Sequence, residues 1–422
     1  MSVPGPGRRI TFAICGFAIA AFAIAADTVA SLTADKVRSG IAANILAAHG
    51  IAAVETLEHT RYEKKKKNAT CAELIAAGFE GSRGTFVWHD RLRLEVTSGP
   101  AAEVFALTNP GQLEKSDVGG LVSGGGSGEF STFLRNIVTN DADQFSAHGV
   151  QQTSGGSLAE FAFEVSLFRS HFEYAAGPAS YHGSLFVAPE TGELKRLTMV
   201  MDNKSDACRL QYSIDYGRVK VGNQEIVLPQ ISTSDLLYTD GTELHTETRY
   251  SAYNWPQLDL SPPAKSTPPT PLPAGLHLKV RLQDPIDGTT TAAGDPVIGI
   301  VRSEVKDRGA VLIHAGDRLH GRIALLEQYM LKYWQVGGVE GAPDPRWNVG
   351  IVFETIERGT GSQAVEQPIS LDPVDDGDRS PHDAPLTPTQ LQQLRPAGGG
   401  YFRVYRKTLL LDQKFESEWA TR

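Results

Sequence analysis

Tyr181-His182-Gly183-Ser184-Leu185-Phe186-Val187-Ala188, then Pro189-Glu190-Thr191-Gly192, then Leu194 to Met201: this stretch decides the fold. Two apolar-rich runs flank a Pro/Gly turn signal, the layout of two antiparallel strands joined by a tight turn. The same layout recurs at about ten-residue spacing on both sides, which is the signature of a many-stranded β fold. Upstream lies Glu160 to Val165; downstream lie Leu210 to Val221, Ile226 to Ser234 and Thr242 to Tyr253, with Val221-Gly222-Asn223-Gln224 as a further turn. Phe86, Trp88, Asp90, Leu92, Leu94 and Val96 alternate with a period of two. Ser98-Gly99-Pro100 then turns the chain into Glu103 to Leu107, so a hairpin is predicted over 84–107. Val54 to Tyr62 alternates roughly and is predicted as a strand. Val37, Ile41 and Ile45 recur every fourth position ahead of Gly50, which predicts a helix over 27–49. A short helix is predicted over Glu129 to Val138. The expected fold class is mainly β (α+β), one large antiparallel sheet with a few helices packed on one face.

The chain has 422 residues, more than one core usually serves, so two or three domains are expected. A net charge of -9 argues against nucleic acid held by a diffuse basic surface, while leaving a local basic patch open. Lys64 to Lys67 is such a run; a solvated turn is expected there, with contact to an anionic lipid or acidic surface as the alternative.

Met1 to Arg9 forms a short basic n-region, Ile10 to Ala26 is apolar and uncharged, and Ala23-Ile24-Ala25 supplies an A-x-A cleavage site. That is the three-part layout of a secretory signal, so the protein is expected in the periplasm or outside the cell, with no span left after cleavage near Ala25/Ala26. An uncleaved anchor is the rival reading, because the apolar run is near the length that spans a bilayer. Arg8-Arg9 hints at twin-arginine export, but Ile10-Thr11-Phe12 fits that motif poorly. Cys15 follows Ile14, where a lipid-anchor site needs a small residue. After cleavage Cys71 and Cys208 remain, either bridged or as two free thiols; the bridge is favoured in an oxidising compartment.

Domain boundaries follow composition. Residues 27–257 make the sheet domain with its N-terminal helix, and Ser261 to Pro273 is too rich in proline for sheet or helix, which makes 258–275 a linker. Residues 276–422 form a second β region: strands over Leu276 to Glu357, a long exposed loop over 362–400, and a last hairpin from Tyr401 to Trp419.

Trp88 to Val96, Tyr181 to Leu194, and Tyr212-Ser213-Ile214-Asp215-Tyr216-Gly217-Arg218-Val219 with Val227-Leu228-Pro229 resemble a group of uncharacterised secreted proteins of acidobacteria. Their order also looks like that of LolA/RseB-type periplasmic proteins. The resemblance covers about half the chain and implies a curved antiparallel half-barrel that holds a lipid or lipoprotein segment on its concave side. Asp287 to Val297 with Val311-Leu312-Ile313-His314-Ala315-Gly316-Asp317-Arg318-Leu319-His320-Gly321-Arg322-Ile323 resembles the small β-barrel of TrbI-like conjugation proteins. His314 stands where that pattern has proline. This second resemblance implies an adaptor barrel without enzymatic activity.

Candidate chemistry is sparse. Gly124 to Gly128 precedes a helix but lacks the Lys-Ser/Thr of a phosphate loop, and Ser123 and Ser127 lack the glycines of a nucleophile elbow. His171, Glu173 and His182 lack metal-ligand spacing, and Asp372, Asp375, Asp376 and Asp378 break the calcium-loop pattern. No catalytic residue, metal or cofactor is expected. Phe161, Phe163, Phe168, Phe172, Tyr174 and Tyr181 cluster in sequence; those facing the concave side would line an apolar ligand site. Three readings follow: a module binding a lipid or lipoprotein segment and docking to an envelope protein; an adaptor whose concave face is filled by its own helix; and, behind these two, a hydrolase whose site the sequence does not display.

Overall fold

The computed structural model describes residues 32–63, 69–77, 84–99, 103–107, 128–141, 144–174, 177–202, 207–256, 272–331, 344–359, 365–374, 399–404 and 407–422. The signal segment, Lys64 to Lys67, Ser123 to Ser127, residues 258–271 of the linker and Asp375, Asp376 and Asp378 lie outside them. The described chain is mainly β: one antiparallel sheet of 18 strands with three short helices and no closed barrel.

Ten strands come from the N-terminal half: β1 (Ala52–Glu63), β2 (Thr85–Ser98), β3 (Glu103–Leu107), β4 (Gln144–Thr153), β5 (Gly156–Val165), β6 (Tyr181–Val187), β7 (Leu194–Asp202), β8 (Ala207–Val221), β9 (Gln224–Tyr238) and β10 (Thr242–Asn254). Strands β4 to β10 form a meander, each pairing with the next, and β10 returns beside β1 to give the order β3-β2-β1-β10-β9-β8-β7-β6-β5-β4. The predicted strands are all present. β4 was not predicted: apart from the partly buried Phe145 and Val150 its described side chains are exposed, since an edge strand buries little on either face and shows no apolar alternation.

Helix α1 (Ala34–Ala48) begins at Thr33, whose hydroxyl accepts from the Lys36 amide, and buries Val37, Ile41 and Ala48. The predicted helix over 27–49 is therefore described from residue 34 onward. Helix α2 (Cys71–Ala76) escaped the periodicity reading because one turn and a half is too short to show a period. Its signal was the capping box of Thr70 and Glu73. Helix α3 (Thr132–Arg135) runs into a π turn, Asn136–Asp141. It starts later than the predicted Glu129, because Ser131 is still non-helical and the amides around it are bonded to a sheet carboxylate described below.

The C-terminal half adds β11 (His277–Leu282), β12 (Pro296–Val301), β13 (Arg318–Leu331), β14 (Asp344–Arg358), β15 (Val365–Pro368), β16 (Leu371–Pro373), β17 (Gly399–Val404) and β18 (Glu416–Thr421). They pair in the order β17-β14-β13-β12-β11-β18-β16, with β15 also on β14. Two expectations are corrected here. Residues 365–373 of the predicted exposed loop are strands, with Gln367 and Leu371 fully buried; four- and three-residue strands are too short to alternate visibly. The predicted hairpin from Tyr401 to Trp419 does not form, because β17 pairs with β14 and β18 with β11 and β16. Leu410 and Leu411, between them, are pulled away to pair with Ile286 and Asp287.

Trp419 anchors this half. It is fully buried, edge-on to Phe353 at 5.0 Å and to Phe402 at 6.1 Å between ring centroids. Gly400 lies against the indole so closely that any β-carbon there would strike it. Trp419→Ala is expected to cost about 3–5 kcal/mol, read as a lower denaturant midpoint of the C-terminal half. A loss below about 1 kcal/mol would show that the core closes over the gap.

Two large apolar cores result, one drawn from residues between Leu32 and Leu244 and one from Leu276 to Trp419, with three smaller clusters beside them. They share one sheet through the outer edge of β2. Trp88 to Asp90 pair with β13, Leu94 to Ser98 pair with β3, and between them Arg93 N–H donates to the Ala293 carbonyl (2.7 Å) and Ala293 N–H to the Arg91 carbonyl (2.8 Å). The edge is thus satisfied along its length. The Arg93 guanidinium pairs with the Asp295 carboxylate, which also accepts from the Ala292 amide. Arg91 donates to Glu58 and to the carbonyl of Gly288. The Asp287 to Asp295 stretch therefore works as a clip on β2.

Candidate functional site

The site is built on the inner face of the N-terminal sheet. Alternation in β2 aims Trp88, Asp90, Leu92, Leu94 and Val96 inward, and β1 answers with Ala53, Glu55, Leu57, His59 and Arg61. Cross-strand register then makes transverse rows. One reads Asp90, His59, Thr246, Ser234, Tyr212, Met199, Gly183, Phe163 and Phe145, polar at one end and aromatic at the other.

At the aromatic end the face is covered by the protein's own helices. Val37 and Ile41 of α1 and Phe133, Leu134, Ile137 and Val138 of α3 and its π turn join the same core as Phe161, Phe163, Tyr181 and Leu185. Phe133 sits 5.1 Å from both Phe172 and Tyr212. The Asn44 side chain fastens α1 to β9, donating to the Val227 carbonyl (2.7 Å) and accepting from its amide (3.1 Å). A half-open groove of about 200 Å³ remains between α1 and the turn at Thr191 to Leu194. That is below the roughly 300–1,000 Å³ of ordinary ligand pockets.

The six aromatics singled out from the sequence separate accordingly. Phe161, Phe163 and Tyr181 are buried and Phe172 packs beside them, with Phe145 stacked on Phe161 and Phe172 edge-on to Tyr181. Phe168 leaves the group: it is 98% exposed in the turn after β5. Tyr174 belongs to a two-residue strand paired with Gly177–Pro178, and its side chain lies outside the described residues. His182 is exposed on the opposite face of β6, and His171 is exposed as well. Among the described residues no three His, Cys, Asp or Glu side chains are grouped to hold a metal ion.

The polar end was not found from the sequence as a site. Glu55 and Glu129 are buried, and the Glu103 carboxylate accepts from the amides of Gly128 (2.8 Å), Ser131 (2.7 Å) and Thr132 (3.0 Å). Tyr250 donates to Glu55 at 3.4 Å. Neither Glu129 oxygen, nor the second Glu55 oxygen, nor the Tyr216 hydroxyl has a partner among the described residues. Burial pushes the Glu129 carboxyl up to about 8; the neighbouring Glu103 adds to the shift and the residue's own backbone amide opposes it. Burial, then repulsion from Glu129 and Glu103, raises Glu55 well above the ordinary carboxylate range. Glu103 is raised by burial against the pull of its three amides. Tyr216 and Tyr250 are raised for the same reason, burial beside acidic groups.

Two rows away, His59 is buried and its Nδ1 lies 2.7 Å from Asp90, while its Nε2 and the Thr246 hydroxyl lack partners among the described residues. His59 and Thr246 are both buried, whereas the Asp90 side chain is partly exposed. A sequence signal for this end existed: Asp90 interrupts the apolar period of β2 and Glu55 and His59 that of β1, each at an inward position.

Cys71 and Cys208 are disulfide-bonded, their Cα atoms 5.1 Å apart, which staples α2 to β8. Leu74, Cys208 and Leu237 form the small cluster beneath it. No protein-family model matches the chain, and no curated protein matches it.

Proposed function

We propose that the chain is an exported envelope adaptor whose N-terminal sheet is filled by its own helices, and whose two halves act as one body. The observation that carries this reading is Phe133, with Leu134, Ile137 and Val138, packed on the face that a lipid-holding half-barrel would keep free. The clip of Asp287 to Asp295 on β2 supports the single body, since Arg93 and Asp295 pair across it half-buried. The signal layout of residues 1–26 and a disulfide suited to an oxidising compartment support export.

The finer fold belongs to the same proposal. The ten-strand order with unjoined ends at β3 and β4 supports reading the N-terminal sheet as an open half-barrel. The segment 365–373, paired at one end with β14 and at the other with β18, supports reading the C-terminal strands as a small, incompletely closed barrel. Partners of this adaptor are other envelope proteins; no cofactor, metal or nucleic acid enters it.

Native mass spectrometry on protein purified from a bacterial periplasm without detergent tests the reading. A bare polypeptide mass, reduced by the two protons of the Cys71–Cys208 bridge, is expected. A reproducible added mass that leaves as phospholipid or an acyl chain would sink the adaptor and establish the carrier, directing mutagenesis to Phe161, Phe163 and Phe172.

A further inference from the structure

We propose that Glu129, Glu103 and Glu55 form a proton-operated latch that holds residues 128–141 on the inner face of the sheet and releases them as the pH rises. The geometry is that of a seated lid. Three amides at the start of the segment are bonded to the Glu103 carboxylate on β3. Phe130 packs 5.4 Å from Tyr250, and Phe133 covers Phe172 and Tyr212. Just ahead of Phe130, Glu129 is buried, 2% exposed, with both oxygens unpartnered among the described side chains.

Among the described residues, the titratable groups coupled to Glu129 are Glu55 from β1, Glu103 from β3, Tyr216 from β8 and Tyr250 from β10. All are acids. The cation nearest in sequence, Arg135, directs Nη1 to the Gly99 carbonyl (2.8 Å). A protonated Glu129 tolerates this site, whereas an ionised one adds an uncompensated buried charge beside Glu103. Hydrating that charge requires the segment to lift.

The sign follows from linkage. Seated, Glu129 keeps its proton up to about 8; lifted into water, it ionises in the ordinary range near ~4.3. The seated state therefore binds the extra proton throughout that window. Seating is strongest below the window, weakens about tenfold per pH unit across it, and becomes flat above it. Release uncovers the rings of Phe172 and Tyr212, so the latch controls whether the sheet presents an apolar surface.

Amide hydrogen exchange of the purified protein between pH 6 and 9, corrected for the intrinsic rate at each pH, reads the latch directly. Protection of the peptide over 128–141 is expected to fall about tenfold per pH unit up to about pH 8, while that of β8 and β9 holds. In Glu129→Gln, an uncharged isostere of the seated form, protection of 128–141 is expected to stay level. A wild-type protein without the pH slope, or a variant that keeps it, overturns the proposal. Should the variant not fold, carboxyl-carbon NMR of the wild type decides: a Glu129 midpoint near 8 supports the latch and one in the ordinary carboxylate range overturns it.

Discussion

Gly294→Ala is expected to unhook the C-terminal strands from β2 while leaving both apolar cores intact. Gly294 has φ +97°, and a β-carbon there would run into the Arg93 carbonyl, which belongs to the backbone and cannot step aside. Overpacking against backbone together with the left-handed conformation gives an expected cost of about 2–4 kcal/mol. The cost falls on the clip, because the Gly294 amide bonds to Ile323 and its neighbours bond to Arg91 and Arg93. Calorimetry should then resolve two transitions in the variant, against the single one expected of the native protein. Asp295→Asn is the milder partner experiment, removing the charge that meets Arg93 while keeping an acceptor for the Ala292 amide. A single transition at the native midpoint in Gly294→Ala would mean that the clip does not couple the halves.

Removing the Cys71–Cys208 bridge is the second large effect. The bond closes a separation of 137 residues, for which the chain-entropy model gives roughly 5 kcal/mol; measured bridges more often give about 2–4. Helix α2 is six residues long, far too short to persist by its own hydrogen bonds, and beyond its capping box it has only Leu74 to bury. Cys71→Ala with Cys208→Ala is therefore expected to lower the melting temperature of the N-terminal half by on the order of 10 °C. The first proteolytic cut should fall near residues 69–77. A variant melting within a degree or two of the native protein would show that packing alone holds α2.

Both effects bear on the adaptor proposal, since each concerns a link between parts far apart in sequence. A rigid body needs the clip; an exported one benefits from the bridge. The latch operates within that frame, on a segment held by a handful of bonds to one carboxylate.

Much of this fold is legible in the sequence. Strands β5 to β10 announce themselves by alternation and by the turns at 188–193 and 222–223, because a half-buried strand must alternate and a tight turn needs particular residues. The buried series of β2 and the anchoring face of α1 follow from their periods in the same way. Those readings depend only on neighbours in sequence. Tertiary structure decided the rest. Glu103 meets Gly128 across 25 positions and Arg93 meets Asp295 across 202, so no local period encodes either contact. Strands β4, β15 and β16 owe their existence to backbone pairing supplied by partners in space, while β17 and β18, adjacent in sequence, part to join different neighbours. The inward Glu55, His59 and Asp90 stand in the sequence as exceptions to an apolar pattern, yet their meaning depends on which groups face them. Periodicity reports the face a residue occupies; burial, charge and hydrogen bonding at that face are properties of the assembled sheet.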